Sequence, residues 1–185
     1  MAQGGADVKR ICLHGPESTG KSTLGALLAA DLECEVVPEY GRTYCAAHGT
    51  DIGTNELIHI AQTQDAMNRA AAERAAEVGA GFVLFDTDPL ITAVWADMMF
   101  GTMQGYCRDA YFDSFTDFAD LYLLLDIDLP FVDDGLRVYA QPAERQRFFD
   151  LCAAELDRRS VRYVRIQGLG EARFAAAKAA ILESE

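Results

Sequence analysis

Apolar positions along the chain switch repeatedly between a strand-like run and a helix-like spacing, and the order of the switches predicts the elements. Val8 to Leu13 (VKRICL) reads as a short strand running into a Gly and Pro loop. Ser22 to Asp31 then reads as a helix with Leu24, Leu27 and Leu28 on one face. Glu35 to Val37 is a second short strand ended by Pro38, and Thr54 to Val78, rich in Ala, Gln, Glu and Arg, is a long helix. Thr54 or Asn55 is its expected cap and Gly79 and Gly81 its stop. FVLF at 82–85 is apolar throughout, as suits a strand buried on both faces, and it delivers Asp86 at its C-terminal end. Pro89 to Phe100 reads as a helix started by proline, and Leu121 to Ile127 as another buried strand. A polar loop from Asp128 to Pro142 leads into a charged helix from Ala143 to about Arg159. A strand at Val161 to Ile166 and a helix at Glu171 to Leu182 close the pattern. Strands alternating with helices imply an α/β fold, a parallel sheet covered by helices on both sides.

Composition narrows the classes. The chain has 185 residues, half of them apolar, enough for one domain with a core that needs no disulfide or metal staple. Sixteen Lys plus Arg against 29 Asp plus Glu leave a net charge of −13, which disfavours a nucleic-acid partner or an anionic membrane surface. No apolar run approaches the roughly 20 residues that cross a bilayer, and the first ten residues lack an apolar signal core, so the expected setting is the cytoplasm. Five cysteines without a C-x-x-C pair, and His14, His48 and His59 scattered apart, suggest neither a disulfide framework nor a metal cage.

The chemistry concentrates after the first strand. Gly15-Pro16-Glu17-Ser18-Thr19-Gly20-Lys21-Ser22 matches G-x-x-x-x-G-K-[ST] between a strand and an amphipathic helix, the context a phosphate cradle requires, and Thr23 continues into that helix. Gly15 and Gly20 allow the backbone to turn N–H groups onto phosphate oxygens at a helix N-terminus. Lys21 supplies positive charge to the β- and γ-phosphates of ATP, and the Ser22 hydroxyl is placed to ligate Mg²⁺. Asp86, at the end of FVLF, is the expected second partner of the metal, although Asp86-Thr87-Asp88-Pro89 also resembles a helix cap.

Ligands of parallel sheets bind at the C-terminal ends of strands, which brings Glu39-Tyr40-Gly41-Arg42 within reach. Glu39 or Asp88 is then a candidate base for an attacking hydroxyl, and Arg42 a phosphate or ion-pair partner. Asp133-Asp134-Gly135-Leu136-Arg137, with Arg145 and Arg147 beyond, suggests a lid over about residues 128–147 in which Arg137 closes on the transferred phosphoryl group. Tyr40, Tyr44 and Trp95 are aromatic candidates for stacking on a base.

The blocks GPESTGKSTL, PEYGRTY, FDTDPLIT and VDDGLR, in this order, resemble the ribosylnicotinamide kinase domain of the NadR family of P-loop ATPases, from about Arg10 to Ile181. The resemblance implies a three-layer α/β/α P-loop NTPase fold of nucleoside-kinase type with a short lid. It implies ATP and Mg²⁺ as cofactors and transfer of phosphate to the 5′-hydroxyl of nicotinamide riboside, giving NMN. Phosphate and metal roles fall on Gly15, Ser18, Gly20, Lys21, Ser22 and Asp86, and substrate or lid roles on Glu39, Arg42, Asp88 and Arg137. Because the resemblance falls on the kinase domain, adenylation of NMN and DNA binding are not expected of these residues. An ATP-binding switch, or a kinase of another nucleoside or small alcohol, is the alternative reading.

Overall fold

The computed structural model describes residues 8–184. Five strands, β1 (Lys9–His14), β2 (Glu35–Val37), β3 (Phe82–Phe85), β4 (Leu121–Leu125) and β5 (Tyr163–Ile166), form one sheet in the order β2-β3-β1-β4-β5. Every neighbouring pair is parallel, with Ile11 opposite Leu84 on one side and Leu121 on the other. After β1 the chain steps out to β2, returns through β3, and crosses to β4 on the far side of β1. The order therefore reverses at β1, and a crevice opens above its C-terminal end.

Alternation along the strands sorts the core into two layers. Leu121, Leu123 and Leu125 pack with Ile11, Leu13 and Leu84 against α1 (Lys21–Asp31) and α7 (Gly170–Leu182). Tyr122 and Leu124 pack with Cys12 and Phe85 against α3 (Thr54–Val78), α4 (Pro89–Phe100) and α6 (Pro142–Arg159). The expected three-layer architecture is the observed one.

Boundaries of β2, α3, β3 and α4 coincide with the sequence reading. Two helices were not expected: α2 (Tyr40–His48), with no fully buried residue, and the short α5 (Ala110–Ser114). In α1, Leu27 is 53% exposed and Gly25 takes its place on the inner face. A Cβ at Gly25 would lie 2.8 Å from Leu13 Cδ1, so a larger residue there would have to displace the buried Leu13 side chain. The cap of α3 is Gly53, not Thr54 or Asn55, and the Glu56 carboxylate folds back to accept from its N–H.

Candidate active site

The loop from Gly15 to Gly20 joins β1 to α1 and wraps the N-terminus of that helix. Gly15 has φ +133°, and a Cβ there would meet the Leu125 carbonyl oxygen at 2.8 Å, so both conformation and space require glycine. Gly20 caps α1 in the left-handed region, and Ser18 is held at φ 57°, a conformation non-glycine residues adopt rarely. No side chain caps α1 and no acidic residue stands in its first turn, which leaves its N–H groups open to an anion. Lys21 Nζ donates to the carbonyls of Gly15 (2.9 Å) and Pro16 (2.8 Å), and Thr19 Oγ1 to that of Pro16. The lysine thus lies along the loop it serves.

Ser22 Oγ donates to Asp86 Oδ2 at 2.6 Å, while Asp86 Oδ1 is buried without a protein partner. A hydroxyl and a half-satisfied carboxylate, side by side at a phosphate loop, are hard oxygen donors of the kind Mg²⁺ takes while keeping most of its water. His14, just before the loop, is buried and neutral, its pKa pushed down to about 3 chiefly by burial and then by the charge of Lys21. No cluster of three or more His, Cys, Asp or Glu that could cage a metal occurs among the described residues.

A cavity of about 480 Å³ runs from the loop into a chamber between α2, α3 and α4. Its polar end holds Glu17 to Thr23, and its far end is walled by Ile52, Leu57, Ile60, Ile91, Trp95 and Met99. Glu39 lines it between the two and has no hydrogen-bond partner among the described residues. Burial pushes its carboxyl upward, Asp86 and Glu17 add to the effect, and Lys21 and Arg42 oppose it.

Asp88 lies elsewhere. It is 3% exposed, does not line this cavity, and spends its oxygens on the N–H of Leu90 (2.9 Å) and the hydroxyl of Tyr122 (2.5 Å). It is the cap of α4, the role that the sequence allowed for Asp86, and burial raises its pKa to about 6. The expected place of Asp88 beside the substrate is therefore not the one observed. Tyr40 is also absent from the cavity wall: its ring packs with Tyr44 and His59. Of the three aromatic candidates only Trp95 lines the chamber, with Tyr139 at 5.6 Å beside it.

Residues 128–141 form an irregular segment folded over the phosphate loop, and residues 142–147 belong to the first turns of α6. Glu17 Oε2 accepts from the N–H groups of Val138 (3.0 Å) and Tyr139 (3.4 Å), and Ser18 Oγ from that of Val132 (2.8 Å). Arg137 donates to Ser18 Oγ (3.2 Å) and to the Val132 carbonyl, and its Nε stands 3.2 Å from Asp134 Oδ2. That same oxygen accepts from Arg42 at 2.7 Å, so one carboxylate holds the two arginines facing the cavity. Arg145 donates to the carbonyls of Leu129 and Ser18, whereas Arg147 is exposed. Sequence reasoning missed Gln64, Asn68, Tyr122 and Tyr139, whose roles arise from contacts between distant segments.

A parallel sheet reversing at β1, with a lysine and serine at the tip of its phosphate loop, defines a P-loop kinase fold, one shared with solved nucleoside and nucleotide kinases. The chain belongs to the AAA_28 family, described as an AAA domain, which matches residues 10–173. It is 27% identical over 170 residues to the trifunctional NAD biosynthesis/regulator protein NadR of Escherichia coli K12, and 26% identical to that of Salmonella typhimurium LT2. These matches cover 86% of this chain but 38% of either relative. Among solved structures, NadR in complex with NR superposes with a TM-score of 0.75 at 22% identity, over 96% of this chain and 52% of that one. A deoxyadenosine kinase from M. mycoides, with dCMP and dCDP bound, superposes with a TM-score of 0.62 at 12% identity, over 94% and 99%. The likeness to NadR expected from the four motifs is borne out.

Proposed function

We propose that the protein is an ATP- and Mg²⁺-dependent kinase that phosphorylates the 5′-hydroxyl of nicotinamide riboside. One observation carries the reading: a phosphate loop and a chamber large enough for a nucleoside share one cavity, with the unpaired Glu39 carboxylate at their junction. The E. coli NadR protein similar in sequence is named for NAD biosynthesis, and a solved NadR structure holds NR, which supports a nicotinamide nucleoside as acceptor.

The loop N–H groups and Lys21 bind the β- and γ-phosphates of ATP. Ser22 and the free oxygen of Asp86 would hold Mg²⁺, which would offset the charge of the phosphates. Glu39 accepts the proton of the 5′-hydroxyl as the oxygen bonds to the γ-phosphorus and the bond to the ADP oxygen breaks. Its raised carboxyl makes it a better proton acceptor than an ordinary surface glutamate. Arg137 and Arg42, released from Asp134, stabilise charge on the moving phosphoryl group while residues 128–141 exclude water. The apolar chamber with Trp95 takes the flat base.

ADP release measured against a panel of nucleosides and small alcohols tests this directly. Nicotinamide riboside should raise ADP release well above the ATP-only rate and yield equimolar NMN, and Lys21→Ala should abolish both. An ADP rate indifferent to every acceptor points instead to an ATP-driven switch.

A further inference from the structure

Gln64 and Asn68 are polar residues buried in α3, 1% and 5% exposed, one helical turn apart on the face toward the sheet. A helix packing there needs only apolar side chains, and a buried amide costs stability unless each polar atom finds a partner. Here they do. Gln64 Oε1 accepts from the N–H of Tyr40 (2.7 Å), and its Nε2 donates to the carbonyl of Pro38 (3.3 Å) and to Asn68 Oδ1 (3.0 Å). Asn68 Nδ2 donates onward to the carbonyl of Thr87 at 3.0 Å. The backbone N–H of Tyr40 requires an oxygen opposite it, which fixes the orientation of the Gln64 amide and, through it, that of Asn68.

The two ends of this chain of bonds are informative. Pro38 and Tyr40 flank Glu39, so a single amide grips the peptide groups on both sides of that residue. Thr87 directly follows Asp86. The ladder between β2 and β3 ends with the Asp86 N–H on the Val37 carbonyl, and beyond it no strand pairing relates the two loops. Gln64 and Asn68 continue the link through side chains where the backbone link stops.

We propose that Gln64 and Asn68 are positioning residues that set Glu39 against Asp86, and so the proton acceptor against the residue that would hold the metal. The proposal rests on the kinase reading above. Neither residue reacts; Gln64 also lines the cavity, but its hydrogen bonds go to the loop it holds, and a displacement of about 1 Å at such a site costs on the order of 10²-fold in rate.

The test compares the full chain with Gln64→Met, which keeps length and removes every hydrogen bond, and Asn68→Leu, which cuts the link to Thr87. With nicotinamide riboside as acceptor, kcat should fall about 10²-fold in each while the Kd for MgATP stays within about twofold. The acidic limb of the kcat profile should move in Gln64→Met, because the setting of Glu39 changes. Hydrogen exchange should accelerate at the Tyr40 amide in Gln64→Met while the amides of β1 and β4 keep parental protection. Parental kcat in both variants overturns the proposal, and so does a loss of kcat and ATP binding in step with the folded fraction. If the parent shows no acceptor-dependent ADP release, the kinase reading fails. Amide exchange then decides the link alone: parental protection of Tyr40 in Gln64→Met overturns it, and selective loss supports a clamp on this loop.

Discussion

Ser22 Oγ lies 2.6 Å from Asp86 Oδ2, joining the first turn of the helix after β1 to the end of β3. The second Asp86 oxygen faces no protein donor, and a buried carboxylate half-satisfied in this way is suited to a cation. Replacing Asp86 by Asn keeps an acceptor for Ser22 and removes the charge. Asp86→Asn should therefore retain the fold and lose most of the Mg²⁺ dependence of ATP binding. Calorimetric titration of ATP with and without Mg²⁺ checks this; a parental Mg²⁺ effect in the variant would remove Asp86 from the metal site.

Glu39 should control the acidic limb of the rate profile. Its carboxyl titrates above the ordinary glutamate range because its half-buried place in the cavity wall disfavours the charged form, and only the ionised form accepts a proton. Turnover should be level at higher pH and fall as pH drops through that raised value. Glu39→Gln should lower kcat by about 10² to 10⁴ and abolish the limb. A retained limb in Glu39→Gln would assign it to another group.

Asp88 has the opposite signature. Its pKa is about 6 in the fold against 3.8 for an ordinary aspartate, so between those values the folded protein binds more protons than the unfolded chain. Its contribution to stability is full below about pH 4, declines as pH rises, and is flat above the folded value. Asp88→Asn keeps one oxygen for the cap, places an amide N–H toward the Tyr122 hydroxyl in place of the second oxygen, and deletes the titration. The dependence of Tm on pH over this window should lose that decline, with kcat within about twofold of the parent. A kcat loss of Glu39→Gln size would return Asp88 to the catalytic role that its sequence position suggested.

Arg137 should act in turnover more than in first binding of ATP. It is one-fifth exposed and held by Ser18, Val132 and Asp134, so it is no freely solvated charge. Removing a donor aimed at developing charge costs about 10²-fold or more in kcat. Arg137→Ala should show that loss with near-parental ATP affinity by direct titration, whereas a defect confined to ATP binding would place Arg137 in the ground-state complex alone.

The sequence by itself determined what local pattern controls: the alternation of strands and helices, the buried FVLF and LYLLL strands, and the phosphate loop with its two glycines, lysine and serine. These are legible because side-chain period, capping and backbone freedom act over a few neighbouring residues. Tertiary structure decided the rest. Helix α2 buries no residue fully, and its first N–H finds its acceptor in the side chain of Gln64, 24 residues on. Leu27 is exposed and Gly25 faces inward, where a Cβ would press on the Leu13 side chain. Asp86, Asp88 and Glu39 are chemically alike in sequence. They separate into a half-satisfied carboxylate, a helix cap and an unpaired acid only when Ser22, Tyr122 and the open cavity meet them across gaps of 34 residues or more, or, for Glu39, fail to. Hydrogen bonds between distant segments leave no period in a sequence, so the roles they assign become visible only when the chain has closed on itself.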